Sequence, residues 1–313
     1  MDRFVDLHTH STWSDGSLSP PSLVREARAA GLSAIALTDH DVLDGLPEAR
    51  EAGAREGVEI VSGVEISARL ESGEVHLLGY EVDPSPGTPL QTALAGLRAA
   101  REARLPRILD RLAEMGMPID PSEVDAIAGE GSTGRPHVAQ AMVRRNYVRN
   151  VEEAFSRFLR EGGPAYVLRE MLTPGQAVAL IRESGGLAAI AHPGLLRLGG
   201  MGRLEDFVRS LAAEGLEALE CFTSAHDTGT TTACVGIARR AGLIPTGGSD
   251  YHGDRKAGAR LGCTRGGGRI PYAVLADIRE RLAARRELDT SRAAGGRLGS
   301  SGRPNAAGGE TVG

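Results

Sequence analysis

Residues 4–16 read Phe-Val-Asp-Leu-His-Thr-His-Ser-Thr-Trp-Ser-Asp-Gly. The apolar start of this stretch leads into His8 and His10, which are two positions apart. Side chains two positions apart in an extended strand lie on the same face. The stretch therefore predicts a strand that ends in a pair of histidines able to bind one metal ion.

Strands and helices alternate outward from this first strand. Ser19 and Pro20 are typical of the start of a helix, and Gly31 ends that helix before the next strand. The same alternation predicts seven strands, at residues 4–8, 33–38, 59–64, 74–82, 187–191, 216–222 and 243–247. In the second strand Ile35 and Leu37 share one face and smaller residues share the other, which is typical of a barrel wall with helices outside. We predict an α/β fold in which the fourth strand follows the third without a helix.

A helical insertion interrupts this alternation. A break containing Pro, Gly and Ser at 84–89 is followed by helical patterns alone, as far as about residue 158. Thr173, Pro174 and Gln176 then form a capping box that resumes the alternation. We predict four segments: the first part of the barrel at 1–97, a helical insertion or cap at 98–172, the second part of the barrel at 173–290, and a disordered tail at 291–313.

The bulk composition excludes several classes of protein. The net charge of -5 gives no electrostatic basis for gripping nucleic acid over a broad surface. Three cysteines, an odd number without CxxC spacing, argue against both a disulfide framework and a thiolate zinc site. No stretch reaches 18 apolar residues, and no apolar signal segment is present at the start. We expect a cytoplasmic protein with no membrane segment and no obligate protein partner.

Most of the histidines lie beside predicted strand ends. Six of the eight do so: His8, His10, His40, His76, His192 and His252. Three carboxylates are expected at the same rim of the barrel: Asp15, Glu65 and Asp250. Active sites of such barrels lie at this rim, and a mixture of imidazole and carboxylate suits Zn, Mn or Fe in a hydrolytic site. Each residue alone is more often structural, but together they predict a metal centre.

The motifs around these residues resemble those of the polymerase and histidinol phosphatase (PHP) family of metal-dependent phosphoesterases. The matching stretches are His8-Thr9-His10-Ser11 with Ser14-Asp15-Gly16, Thr38-Asp39-His40, Gly63-Val64-Glu65, His76, Ala191-His192-Pro193 and Gly248-Ser249-Asp250-Tyr251-His252. The insertion, with Gly134-Arg135-Pro136-His137, resembles the branch that contains small-molecule phosphatases and exonucleases. The resemblance implies a distorted seven-stranded barrel carrying a helical cap.

The resemblance also implies three divalent metal ions per chain, with Mn first and Fe or Zn as alternatives. It assigns them, in order, to His8, His10, Glu65 and Asp250; to Glu65, His76 and His192; and to Asp15, His40 and His252. Glu65 would bridge the first two ions. Two close cations lower the pKa of a bridging water enough to supply hydroxide near neutral pH. A third can neutralise phosphoryl oxygens or the departing oxygen.

Residues outside the ligand set are candidates for contact with the substrate. Arg135 and His137 stand at the start of a helix in the insertion, where a guanidinium group and backbone amides suit an anion. His226 follows the sixth strand and could bind phosphate or act in catalysis as a proton donor to a leaving oxygen, beside the catalytic carboxylate of Glu65. Asp6 shares the parity of His8 and could orient an imidazole, whereas Asp39 has the opposite parity.

These observations predict a phosphatase acting on a small nucleotide, with a nucleoside 3',5'-bisphosphate as the first candidate from the family branch. A 5'-3' exonuclease on short RNA or DNA shares the same chemistry and is the close alternative. A metal-dependent amidohydrolase would also place histidines and carboxylates at a barrel rim. A non-catalytic module with the same fold should have lost ligands, and this sequence has lost none.

Overall fold

The strands of the molecule form one sheet. This computed structural model describes residues 2–71, 73–129, 133–255 and 258–298, with side chains described as far as Ser291. The strands within those ranges are β1 (Phe4–Thr9), β2 (Ala34–Leu37), β3 (Glu59–Leu70), β4 (Gly73–Tyr80), β5 (Leu187–Ile190), β6 (Ala218–Thr223), β7 (Ile244–Gly248) and β8 (Ile270–Pro271).

The helices fall into two groups along the chain. Those between strands of the barrel are α1 (Pro20–Ala29), α2 (Leu46–Glu56), α8 (Pro174–Glu183), α9 (Met201–Ala213) and α10 (Thr228–Arg240). Those between β4 and α8 are α3 (Pro89–Ala103), α4 (Leu105–Glu114), α5 (Pro121–Ala128), α6 (Arg135–Arg144) and α7 (Val151–Ala154), which continues as a π-helix at Phe155–Leu159. Helix α11 (Ala273–Leu298) ends the described chain. No helix among the described residues combines the length and apolarity needed to cross a membrane.

The seven main strands follow one another along the chain as the sequence predicts. Neighbouring strands run β7-β6-β5-β4-β3-β2-β1-β8, with β4 antiparallel to both of its neighbours and the other principal pairs parallel. This arrangement confirms an α/β barrel of seven main strands whose fourth link lacks a helix. The short β8, antiparallel to β1, was not predicted, because two residues carry no periodic pattern.

The barrel closes where β7 meets β1. A Cβ added at Gly248 would lie 2.4 Å from the backbone nitrogen of His8, so only glycine allows the two strands to approach this closely. Above this point the backbone of Tyr251 accepts a hydrogen bond from His10 N at 2.9 Å. The closure therefore places the end of β1 against the loop that follows β7.

The two faces of the barrel wall pack against different partners. On β2, Ile35 and Leu37 join the apolar cluster that packs under the outer helices, as the sequence predicts. Ala34 and Ala36 belong to a second cluster, which fills the barrel and includes Leu275, Ile278 and Leu282 of α11. Helix α11 therefore covers the end of the barrel opposite the ligand-bearing rim, and burial of these apolar residues stabilises the closed sheet.

The helical insertion has a core of its own. Its buried apolar residues run from Leu105 to Val167, whereas Leu90, Leu94 and Leu97 of α3 pack with the outer cluster of the barrel. The separate core therefore begins after α3 and not at residue 98. Helix α3 therefore packs with the barrel and leads into the helical insertion.

The end of the chain differs in part from the prediction. Helix α11 extends to Leu298, so residues 291–298, which we predict to be disordered, are helical. The segment before them is rich in Ala, Arg, Glu and Leu, which favour continuation of a helix once α11 has begun against the barrel. Residues 299–313 of the predicted tail lie outside the described residues.

Candidate metal centre

The nine predicted ligands lie together at one rim of the barrel. His8 and His10 come from β1, His40 follows β2, His192 follows β5, and Asp250 and His252 follow β7. His76 reaches the rim from the start of β4 and not from the end of that strand, because β4 runs antiparallel to its neighbours. Four overlapping groups have ligand atoms within 4.8 Å of one another: His10, Asp15, His40 and His252; His8, His10 and Asp250; His8, Glu65 and His192; and His40, Glu65 and His76.

Glu65 is the centre of this arrangement, with 1% of its surface exposed. Its Oε2 atom lies 3.3 Å from His8 Nε2 and 3.2 Å from both His10 Nε2 and His40 Nδ1. Its Oε1 atom lies 2.8 Å from His76 Nδ1 and 3.1 Å from His192 Nε2. One buried carboxylate thus faces five imidazoles, which is the geometry that a bridging ligand needs.

The observed groups resemble the three implied ligand sets but do not coincide with them. Asp15, His40 and His252 lie together as implied, with His10 as an additional neighbour. His76 and His192 both approach Glu65, but they fall into different groups. Glu65 therefore connects ligand groups on both sides of the rim.

Several atoms of the cluster are buried without a hydrogen-bond partner among the described residues. They include His8 Nε2, His40 Nδ1 and Asp15 Oδ1, all of which face other members of the cluster. A buried polar atom left unsatisfied is costly, and imidazole nitrogens with carboxylate oxygens are the ligands that divalent transition metals prefer. The donor set therefore fits divalent cations.

The electrostatics of the cluster agree with this fit. Burial raises the pKa of Glu65, but the neighbouring His40, His76 and His8 hold that pKa well below its usual range. Burial lowers the pKa of His40 to about 3, so this ring is neutral at physiological pH and can donate a lone pair. Burial would also lower the pKa of His10, yet the carboxylates of Asp250 and Glu65 raise it to about 9. A bound cation would take the place of that proton.

Two ligand residues have left-handed backbones that are rare outside glycine. His192 has φ of 29° and Asp250 has φ of 53°. Both residues lie two positions after a barrel strand, and their side chains face the cluster: His192 contacts Glu65, and Asp250 contacts His8 and His10. Strain of this kind persists at functional sites, where the surrounding structure holds it in place.

A β-bulge corrects the predicted role of Asp6. The register between β1 and β2 shifts between Asp6 and Thr9, so Asp6 does not share the face of His8 and His10. Its carboxylate instead accepts hydrogen bonds from Ser249 N at 2.8 Å, Ser249 Oγ at 2.5 Å and Gly262 N at 2.7 Å. Asp6 therefore fixes the loop that carries Asp250.

Asp39 and Glu220 support the ligands from outside the set. Asp39 accepts hydrogen bonds from Ser11 N at 2.8 Å and Ser14 Oγ at 2.5 Å, and so holds the loop after His10. Glu220, buried in β6, lies 2.9 Å from His8 Nδ1 and accepts a hydrogen bond from His192 N at 2.6 Å. Sequence reasoning missed this role of Glu220, although an acid inside the apolar stretch Ala-Leu-Glu-Cys-Phe was the available signal.

His226 does not fit the predicted catalytic and phosphate-binding role. Its Nδ1 lies 3.0 Å from the carbonyl oxygen of Cys221, and its Nε2 accepts a hydrogen bond from Gly194 N at 2.9 Å. Both ring nitrogens are therefore engaged by backbone. Burial lowers the pKa of this histidine, so it is neutral at physiological pH. His226 ties the loop after β6 to the turn after His192 and has no free atom for a substrate.

His137 is also held inside the protein. Its Nδ1 accepts a hydrogen bond from Gly134 N at 3.1 Å, which caps the start of α6. Only 1% of the residue is exposed, and burial lowers its pKa to about 4. His137 therefore caps helix α6, and its burial does not fit the predicted contact with substrate.

A cavity of about 330 Å³ opens beside the metal ligands. It is lined by Glu65, His76 and other predicted ligands and by five arginines, namely Arg101, Arg104, Arg135, Arg169 and Arg255. Arg135 lies there as predicted, with Nη2 2.8 Å from Glu74 Oε2. Sequence reasoning missed the other four, which no motif marks. The cavity can therefore receive an anionic group close to the metal ligands.

Known proteins that match this sequence include phosphoesterases, in agreement with the candidate metal ligands at this rim. The family model described as PHP domain matches residues 6–107, which include six of the nine ligands. A 3',5'-nucleoside bisphosphate phosphatase from Chromobacterium violaceum is 34% identical over 272 residues, covering 83% of this chain and 91% of the relative. The chain belongs to the PHP family.

Two further similar proteins support membership of this family. A 5'-3' exoribonuclease from Haemophilus influenzae is 37% identical over 227 residues, covering 71% of this chain and 81% of the relative. A solved structure from Bifidobacterium adolescentis, described as that of a metal-dependent phosphoesterase, superposes with a TM-score of 0.79 at 30% identity. It covers 88% of this chain and 95% of its own. The PHP fold therefore extends over the barrel and the insertion together.

Proposed function

We propose that this PHP protein is a metal-dependent phosphatase that hydrolyses a phosphate monoester of a small nucleotide, with a nucleoside 3',5'-bisphosphate as the first substrate. One observation carries the proposal: Glu65 faces five imidazoles in a cavity that five arginines also line. The relative from Chromobacterium violaceum has this activity by name. Metal ligands and guanidinium groups that line the same cavity suit a phosphate ester.

The nine rim residues would hold up to three divalent cations, with Mn first and Fe or Zn as alternatives. His8, His10 and Asp250 would bind one, residues around Glu65 a second, and Asp15, His40 and His252 a third. When bound, such cations lower the pKa of water and bind phosphoryl oxygens directly. This division follows the observed groups while keeping Glu65 as the bridge.

The protein's own residues would hold and orient these groups. Glu220 would keep the His8 ring turned so that Nε2 faces Glu65 and Asp250, since it lies against Nδ1 of the same ring. Asp39 and Asp6 would fix the loops carrying Asp15 and Asp250. The arginines would bind negative charge on the substrate. Burial of the cluster strengthens each of these electrostatic contacts.

The insertion would act as a cap over the site. Arg101, Arg104, Arg135 and Arg169 all come from the segment 98–172, and each reaches the cavity whose floor is the barrel rim. We therefore propose a barrel at 1–97 and 173–290 and a cap at 98–172, in which the last part of α3 joins the barrel to the separate core that begins at Leu105. The cap would contribute substrate binding, and the barrel would contribute the metal ligands.

A second candidate, 5'-3' exonuclease activity on short RNA or DNA, has one observation in its favour. A shallow groove shares Glu74, Arg135 and Leu195 with the main cavity and extends to Arg160 and Arg197. Its three arginines are matched by Glu71, Glu74 and Glu161, so the groove has no net positive charge, but Arg160 and Arg197 would be available to the backbone of a second nucleotide. The relative from Haemophilus influenzae is named for this activity.

Phosphate release from a substrate panel tests the proposed function. The panel contains a nucleoside 3',5'-bisphosphate, nucleoside monophosphates, sugar phosphates, histidinol phosphate and a labelled trinucleotide, each with added Mn²⁺. We expect the bisphosphate to give the highest kcat/KM and Glu65→Gln to abolish release. Preference for the trinucleotide would favour the exonuclease. Release of ammonia without phosphate, from a panel extended to amides, would contradict both.

A further inference from the structure

Arg104 is a buried cation without a full set of partners. It connects α3 to α4 and lines the cavity, and 5% of its surface is exposed. Its Nε and Nη1 atoms have no hydrogen-bond partner within the described parts of the chain. A guanidinium group carries five donors, so this side chain has unused donors next to the cavity.

The arginines around Arg104 are paired with carboxylates. Arg101 and Arg169 both contact Asp41, the latter with Nη1 3.4 Å from Oδ2. Arg135 pairs with Glu74 at 2.8 Å. Four guanidinium groups thus share two carboxylates at this end of the cavity, which leaves an excess of two positive charges. A phosphate monoester near neutral pH carries close to two negative charges.

The position of Arg104 is electrostatically unfavourable in the ligand-free protein. Burial, together with the charges of Arg135, Arg169 and Arg101, lowers the pKa of Arg104 to about 9. The group remains charged at pH 7, and an unpaired charge in a buried position destabilises the folded state. Glu74 favours the charged form of Arg104 but is paired with Arg135, so a bound anion would supply the direct counterion that Arg104 lacks among the described residues.

We propose that Arg104 is the specificity residue that binds a second, non-scissile phosphate of the substrate while the scissile phosphate lies at the metal ligands. The inference rests on the proposed phosphatase function and names the residue that would select a bisphosphate over a monophosphate. A guanidinium fork binds two phosphate oxygens at once, which an isolated ammonium group cannot do. Arg135, which the sequence favours for contact with the substrate, already pairs with Glu74.

Kinetics on matched substrates test this role. We expect Arg104→Gln to lower kcat/KM for a nucleoside 3',5'-bisphosphate by roughly 10- to 100-fold, as for loss of a hydrogen bond to a charged group. The 3'- and 5'-monophosphates of the same nucleoside should change by less than about twofold, because they leave the subsite empty. Arg104→Lys should fall between Arg104→Gln and the wild type. Arg107→Gln, an exposed control on α4, should match the wild type.

Stability separates this role from a structural one. Arg104→Gln removes an unpaired buried charge, so its Tm without ligand should equal or exceed that of the wild type. A nucleoside 3',5'-bisphosphate in chelator should raise the wild-type Tm more than that of Arg104→Gln. A lower ligand-free Tm for Arg104→Gln would support a structural role instead.

Binding distinguishes failure of this inference from failure of the proposed function. Calorimetry of the bisphosphate in chelator should show at least tenfold weaker binding by Arg104→Gln, even if no substrate in the panel is hydrolysed. Unchanged binding would overturn the role of Arg104. An equal loss of kcat/KM for bisphosphate and monophosphates would also overturn it, because the residue would then serve the scissile phosphate.

Discussion

At the scale of single residues, the clustering of the nine predicted ligands could be foreseen, whereas the supporting role of Glu220 could not. His8, His40, His192 and Asp250 follow strand ends in short polar motifs, so sequence alone assigns them to one rim. Glu220 lies in mid-strand without a motif, and its role depends on β6 facing β1 and β5. A bulge reverses the face of Asp6, and parity counting has no means of detecting a bulge.

Removal of the Glu220 carboxylate should weaken metal binding. Glu220→Gln loses the anionic acceptor beside His8 Nδ1, and loss of such a supporting group typically lowers metal affinity by about 10–100-fold. Isothermal titration with Mn²⁺ measures the change. Glu214→Gln, an exposed change in the turn before β6, is the matched control and should bind as the wild type does. Equal affinity in the two variants would remove Glu220 from the support of the site.

Truncation of His226 should reduce stability more than catalysis. His226→Ala leaves Gly194 N and the carbonyl of Cys221 without their partner, which costs about 1–3 kcal/mol in the free energy of unfolding. Urea denaturation measures that cost, and phosphate release measures activity in the same preparation. A hundredfold fall in kcat with no loss of stability would restore the catalytic role predicted from sequence.

At the scale of elements, the pattern of apolar residues predicted which segments are strands or helices better than it predicted how long each one is. The seven main strands and the outer helices lie where the patterns predict. Strand β3 runs to Leu70, six residues beyond the predicted end at Val64, because its pairing with β4 continues past the rim. No local signal shows how long two antiparallel strands will remain paired.

The junction between α3 and the β2–α2 loop offers a test at this scale. Asp41 is 2% exposed and contacts Arg101 and Arg169, whereas the pair of Asp44 with Arg98 at 2.9 Å lies at the surface. Asp41→Asn should lower the free energy of unfolding by about 3 kcal/mol, because it leaves buried arginines without a counterion. Asp44→Asn should cost less than about 1 kcal/mol.

The choice of Asn at position 41 avoids a change in backbone strain. Asp41 has φ of 56°, a conformation that Asn also adopts readily, so the change tests charge and not strain. Denaturant unfolding of both variants provides the comparison. Equal stability of Asp41→Asn and Asp44→Asn would show that the buried cluster does not hold the insertion onto the barrel.

At the scale of the whole molecule, the barrel with its helical insertion could be predicted, but the composition of the cavity could not. Alternating strands and helices, interrupted by a purely helical stretch, are visible in the sequence. Arg101, Arg104 and Arg169 lie on separate helices and loops, and only tertiary packing brings them to the cavity that the predicted ligands also line. Charged residues on such segments resemble solvated surface residues until the fold is known.

The clustered histidines and carboxylates of the rim should give this protein its phosphatase activity by binding divalent cations. The most direct test is to strip the protein with chelator, titrate Mn²⁺ back, and measure bound metal and phosphate release from a nucleoside 3',5'-bisphosphate together. We predict no release from the stripped protein and a rise in activity that reaches its plateau at two to three equivalents of bound metal per chain. Full activity in the stripped, metal-free protein would contradict the account.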